Sequence, residues 1–366
     1  MDITLSVIYE VKKISDYRNL IYSIKKNQDD FNLVSDRVKN CGNISSNTVN
    51  LEKYSNNRSK LSNIYHCGNV WGCPICSAKI IRTRQNEIQI INSEHIKQTN
   101  GSILLVTLTV RHNKSNSLKY LLDNILKAFK KLKQSRTIKD LKEKFGIKLS
   151  CRSLETTWGK SNGYHVHIHN LFYLDKKLLD RDLDNFKSCL YNCWFRLCKN
   201  VGLGSISEEY GVNILDGINT DKYIIKYGLI KDNLVNKKAK NGNFTIWELQ
   251  NFLANPKLLD SYDITLDCVK LVLKTYFKCF FGKKLLTWSD TNKLKAKYLK
   301  DSKMDKFRKR DIINSVLIDK SIYKKIRSLN KINEMLTIYE LKDIEGLHEY
   351  LKGFGFDNEL ISIQSN

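Results

Sequence analysis

The chain has 366 residues, with 62 Lys+Arg against 38 Asp+Glu and a formal net charge of +24. That length allows two domains, or one large domain with appendages, and the cationic excess points to a polyanionic partner, most commonly nucleic acid. No apolar run is long enough to span a bilayer, and the opening MDITLSVIYEVKKISD places acids where a secretion signal would be basic and then apolar, so the expectation is a soluble cytoplasmic protein with no membrane partner.

Residues 1–40 are polar and mixed, without a usable motif. Next come Cys41 and the run Tyr65 to Cys76, YHCGNVWGCPIC. A CPIC knuckle aims two sulfurs at one ion, a spacing typical of structural zinc. Cys41 and Cys67 would join Cys73 and Cys76 in a tetrahedral four-sulfur site, with His66 as a substitute ligand. The chain holds ten cysteines, which in a reducing compartment are thiols and metal ligands rather than disulfides. A redox CxxC should follow a thioredoxin-like strand, and only the helix is apparent here, over Ser77–Ile91. That helix turns Ile80, Ile81, Ile88 and Ile91 inward and leaves Lys79, Arg82 and Arg84 for a phosphate backbone.

Gly101–Val110 (GSILLVTLTV) is an apolar run of the kind buried at a sheet centre. From Ser117 to Phe145, Leu118, Leu121, Leu122, Ile125, Leu126, Phe129 and Leu132 form a helical stripe opposed by lysines. Leu149–Trp158 reads as a strand, Gly159–Gly163 as a turn, and Gly163–Leu174 (GYHVHIHNLFYL) as the returning strand.

In that strand His165, His167 and His169 share one face. Neighbours there are roughly 6.5 to 7 Å apart, so an adjacent pair can grip one ion but the outer pair cannot, leaving 165 with 167 or 167 with 169. A hairpin centred near Ser161 puts Glu155 opposite His167, and directly opposed residues point the same way. Two imidazoles and a carboxylate suit a divalent ion with positions left open for substrate oxygens. A helix over Asp182–Asn200 and a short strand at Gly211–Leu215 follow, with Cys189, Cys193 and Cys198 read as core filler. The order predicts an α+β fold, a mostly antiparallel central sheet with helices packed on one side.

Asn219–Asp232 (NTDKYIIKYGLIKD) places Tyr223 and Tyr227 one helical turn apart, with Lys222, Lys226 and Lys231 close in sequence. A phenol attacks phosphorus only with help from a metal that polarises the phosphate and from cations that stabilise the phenolate. Ile246–Leu253 and Leu266–Phe281 read as further helices. The run from Lys293 to Arg310 is heavily basic and fits duplex DNA held electrostatically, and Thr337–Phe356 reads as a small helical element.

These motifs together resemble the HUH superfamily of single-strand DNA nickases, most closely the Rep initiators of rolling-circle plasmids. VTLTV at 106–110 is similar to their first motif, HVHIH at 165–169 to their histidine motif and KYIIKY at 222–227 to their tyrosine motif. The cysteine cluster resembles the knuckle that precedes the first motif, and GKKLLTWSDTNKLK at 282–295 the stretch that closes the catalytic region.

The resemblance implies that His167 and His169 bind Mg2+ or Mn2+ with Glu155 as third ligand, His165 standing behind them, while Zn2+ fills the cysteine site. It implies nicking of origin DNA, single-stranded at the nick with duplex nearby, by a tyrosine that keeps the 5′ end and frees a 3′-hydroxyl primer. Tyr227 is the preferred nucleophile from its YxxKY context, Tyr223 the alternative, and Lys226 the nearest cation. No P-loop is apparent, so strand separation and synthesis fall to a host helicase and polymerase. The domains implied are 1–98 with the knuckle, 99–292 for nicking, and a basic helical appendage at 293–366. Rival readings are a transposase or relaxase on the same chemistry and a zinc-containing DNA-binding regulator without catalysis.

Overall fold

The computed structural model describes residues 3–218, 242–289, 292–301, 312–356 and 361–364. In chain order it begins with helices α1 (Ile3–Asp30) and α2 (Asp36–Lys39), strands β1 (Thr48–Tyr54) and β2 (Ser59–Ser62), and helix α3 (Pro74–Thr99). Next come β3 (Ser102–Thr109), helices α4 (Leu118–Gln134) and α5 (Arg136–Phe145), the hairpin β4 (Ile147–Gly159) and β5 (Gly163–Leu174), α6 (Asp180–Asn200) and β6 (Val212–Asp216). The remainder is β7 (Asn243–Thr245), α7 (Ile246–Ala254), α8 (Leu266–Phe280), β8 (Leu286–Trp288), α9 (Asn292–Asp301), β9 (Ile312–Asp319), α10 (Lys320–Ser328), α11 (Ile332–Lys352) and β10 (Ile361–Gln364).

Two compact units result, one from residues 1–77, 253–255 and 305–366, the other from 78–252 and 256–304. Every strand pair among the described residues is antiparallel, as the α+β reading requires.

In the second unit the sheet order is β6-β3-β5-β4-β7, with β8 also paired to β4. Its central strand is β5, and beside it lies β3, whose Ile103, Leu104, Leu105, Val106 and Leu108 are buried. The sheet carries helices on both faces rather than one. Phe172 meets Phe186 of α6 on one side at 5.9 Å between ring centroids, and on the other Tyr173 meets His95 of α3 at 5.3 Å and donates to Asn92 Oδ1 at 2.8 Å. The α3 side is therefore the histidine side, covered at its Leu171–Tyr173 end.

The helical stripe from 117 to 145 is two helices, not one. Ser117 caps α4, accepting from Tyr120 N–H. At Ser135 the backbone turns extended (φ −68°, ψ 152°), ending α4, and its hydroxyl caps α5 by accepting from Ile138 N–H. A serine side chain competes with helix continuation in this way. Helix α3 likewise runs past Ile91 to Thr99, and Pro74 stands at its first position, where a missing N–H costs nothing.

In the first unit the four-stranded sheet is ordered β10-β9-β1-β2. The C-terminal residues are thus no separate helical appendage: β9 pairs with β1 from Thr48↔Asp319 to Tyr54↔Ile312, and Val316, Ile318, Ile322, Met335, Leu336 and Tyr339 share one buried core with Val49 and Leu51. Buried Glu340 accepts from Ser59 N–H at 2.7 Å and pairs with Arg18, tying α11 to β2 and α1.

Candidate metal centres

The four-cysteine centre is assembled by a local turn and one distant loop. Asn69 Oδ1 accepts from the N–H groups of Trp71 and Gly72, each at 2.9 Å, and this side-chain turn leads into Cys73 and the start of α3. Cys76 N–H then points at Cys73 Sγ and Asn69 N–H at Cys67 Sγ, both at 3.4 Å. Cys41 arrives from the loop after α2, and all four thiols are buried.

Their ligand atoms lie within 4.8 Å of one another, with Cys41–Cys76 at 3.5 Å and Cys67–Cys76 at 3.7 Å between sulfurs. Four sulfurs at about 2.3 Å from a zinc ion would stand roughly 3.8 Å apart, so the spacing fits a closed tetrahedral ion. His66 is exposed and takes no part. Cys189 is half-buried, whereas Cys193 and Cys198 are buried in α6, apart from the cluster.

The second candidate centre lies on the sheet. The turn at residues 160–162 sets Gly159 opposite Gly163 and hence Glu155 opposite His167, the pairing read from the sequence. Gly163 has φ +74°, and a Cβ there would stand 3.1 Å from Lys114 Cα, so both the turn and the loop above it need glycine. On the other side of β5, Thr109 faces His167 and Thr107 faces His169. Thr109, His167 and Glu155 thus form one row across three strands, and Thr107, His169 and Ser153 the next.

Side-chain hydrogen bonds follow these rows. Thr107 Oγ1 lies 3.0 Å from His169 Nδ1 and Thr109 Oγ1 3.3 Å from His167 Nδ1, while His169 Nε2 meets the Glu155 carboxylate. A hydroxyl both donates and accepts, so each threonine can serve its imidazole whichever nitrogen holds the proton. With Nδ1 so occupied, Nε2 is the nitrogen left to ligate, the arrangement that outer partners impose on metal-binding histidines. The 167 and 169 rings are nearly parallel, 12° apart with centroids at 6.2 Å. The donor set therefore suits a divalent ion. It is not drawn together as the cysteines are: among the described residues, only those four form a group of three or more ligand atoms all within 4.8 Å.

His165 packs beside this pair. Its ring lies 4.0 Å from that of His112, stacked at 20°, and 3.8 Å from that of His167. Burial, with the neighbouring imidazoles, pushes its pKa down to about 2, so it stays neutral. Thr107, Thr109 and His112 were not singled out from the sequence, although the period-two threonines of VTLTV already marked a shared face.

Of the cations assigned to DNA, Arg82 is exposed on α3, while Arg84 pairs with buried Glu87, whose carboxylate also holds Lys295. Tyr223, Tyr227, Lys222, Lys226 and Lys231 lie outside the described residues, as do Lys303, Lys306, Arg308, Lys309 and Arg310 of the basic run.

The chain is thus an α+β protein with antiparallel sheets, a four-cysteine cluster that fits zinc and a polar histidine–carboxylate face. Residues 58–197 match the model of the replication protein family, Rep_1. The chain is also similar to the "Protein rep" of Streptomyces lividans, 31% identical over 133 residues, covering 29% of this chain and 29% of that protein. The chain thus spans under a third of that relative's length. No solved structure matches it. The family match includes Cys67, Cys73, Cys76, Glu155, His167 and His169 and ends before both tyrosines. No helix among the described residues is long and apolar enough to cross a membrane.

Proposed function

We propose that the protein initiates rolling-circle replication of a plasmid by nicking one origin strand through a tyrosine. The observation that carries this reading is the register placing Glu155, His167 and His169 on one sheet face, with a threonine hydroxyl behind each imidazole. His167 and His169 through Nε2, and Glu155 through its carboxylate, would hold Mg2+ or Mn2+. The bound ion would act as a Lewis acid on the scissile phosphate.

Tyr227 or Tyr223 supplies the attacking oxygen. A new phosphorus–oxygen bond forms to the phenol, the bond to the 3′ oxygen breaks, and that oxygen takes a proton to become the primer hydroxyl. One ester replaces another, so no external energy source is needed. Lys226 offsets the phenolate charge, and Arg82, Lys222 and Lys231 hold the strand through its phosphates. A host helicase and polymerase would then open and extend the duplex.

Incubation with a labelled single-stranded origin oligonucleotide and Mn2+ tests the reading. The expected result is a covalent protein–DNA adduct that disappears in Tyr227→Phe or in Tyr223→Phe. Tight binding with no adduct at any metal concentration would favour a DNA-binding regulator and overturn it.

A further inference from the structure

The cysteine centre has a neighbour that no motif announced. Helix α10 is fixed by its core residues Ile322, Tyr323 and Ile326 and by Asp319, whose carboxylate caps it by accepting from Ser321 N–H at 2.7 Å. So anchored, the helix brings Arg327 onto the loop that carries Cys41. Arg327 Nη2 donates to the Cys41 carbonyl at 3.1 Å, and Tyr323 Oη donates to the Gly42 carbonyl at 2.5 Å.

Gly42 has φ +84°, and a Cβ there would stand 2.5 Å from Arg327 Nη1. The guanidinium therefore fills the space a side chain would take. The glycine is needed both for its backbone angle and for this contact.

The electrostatics give the contact a purpose. Four thiolates around Zn2+ leave two net negative charges in a site whose sulfurs are all buried, and buried charge must be offset. The amides of Asn69 and Cys76 and the N-terminal end of α3 supply partial positive charge to Cys67, Cys73 and Cys76. At the Cys41 carbonyl itself the whole charge is Arg327, while Lys25 Nζ donates to the Lys39 carbonyl at 3.3 Å and the Arg37 guanidinium stands near Gly68. Tyr22 and Tyr323 also crowd this place, but burial raises both phenols, so they stay neutral and contribute none.

We propose that Arg327 is a positioning residue of the zinc centre: it fixes the Cys41 loop and offsets the charge of the loaded site, so that zinc binding and docking of the C-terminal helix α10 are one coupled event. The ligand is a soft-shell divalent ion, zinc, and the segment that senses it lies more than two hundred residues beyond the last ligand, Cys76.

Two measurements on the full chain test this. In the first, zinc is drawn from the protein by a chromophoric chelator. Arg327→Ala is expected to release it about 10- to 100-fold faster, the size of effect that follows loss of an outer-shell partner, and Arg327→Lys to fall between that and the wild type. In the second, which needs no variant to fold, hydrogen exchange is followed in the wild type before and after zinc removal. Faster exchange across Lys320–Ser328 on removal is expected. An Arg327→Ala chain that melts cooperatively and releases zinc at the wild-type rate overturns the proposal, and so does unchanged exchange across Lys320–Ser328.

Discussion

The cysteine centre and the histidine face are built by opposite means. Three of the four sulfurs come from a stretch of ten residues, Cys67–Cys76, shaped by local turns, and the result is closed, each coordination position filled by protein. The imidazoles and carboxylate come from two strands, β5 and β4, whose register alone brings them together, and the result is open in coordination, with three protein donors rather than four. A closed shell stabilises a fold, whereas an open one leaves room for a substrate oxygen. Under the proposed function the first centre would serve structure and the second chemistry, and that division can be broken from either side.

The largest effect is expected at the closed centre. Structural zinc contributes on the order of 10–16 kcal/mol, as much as a whole domain's net stability of about 5–15 kcal/mol. Cys73→Ser should lose the bound zinc and the cooperative unfolding of the 1–77/305–366 unit together, as read by metal analysis and calorimetry. Retention of a sharp transition at full amplitude would refute a folding role for the ion.

At the open face the outcome should invert. His169→Ala removes one proposed ligand and the partner of Glu155, and nicking should fall by roughly 10²-fold or more, since such an ion supplies several kcal/mol at the transition state. Zinc content should stay at the wild-type level, while the melting temperature should also fall, because His169 is buried and its loss leaves Glu155 without this partner. If adduct formation with Mn2+ stays within a few-fold of the wild type, the catalytic assignment of this face fails.

A smaller and more diagnostic change lies one shell out. Thr107→Val keeps the shape but removes the hydroxyl at His169 Nδ1. Apparent Mn2+ affinity should drop by about 10- to 100-fold, with activity restored at high metal. A loss that added metal does not restore would point to a packing defect instead.

How much of this was legible depended on distance along the chain. The knuckle and the Glu155–His167 pairing could be read because both are local: two turns of short span fix which residues face each other. The threonine row could not be assigned a role, since β3 reaches β5 only through a crossover of two helices and a strand, and nothing in VTLTV states its partner's register. The joining of β9 to β1 was hidden for the same reason, as their sequence separation exceeds two hundred residues. Arg327 was invisible because an arginine in a basic helix is ordinarily a solvated charge, and only the space above Gly42 marks it as different.

The smallest effect separates stability from both centres. Ser135 ends α4 by donating to the Leu132 carbonyl at 2.7 Å and starts α5 by accepting from Ile138 N–H at 3.3 Å. Ser135→Ala leaves one helix uncapped at about 1 kcal/mol. Because α4 and α5 supply no ligand to either site, zinc content and Mn2+-dependent nicking should both stay at wild-type levels while the denaturant midpoint of the 78–252/256–304 unit falls slightly. Should nicking fall with the midpoint, the open face would depend on the helices behind the sheet as well as on strand register, and the division between a closed structural centre and an independent open one would need redrawing at this serine.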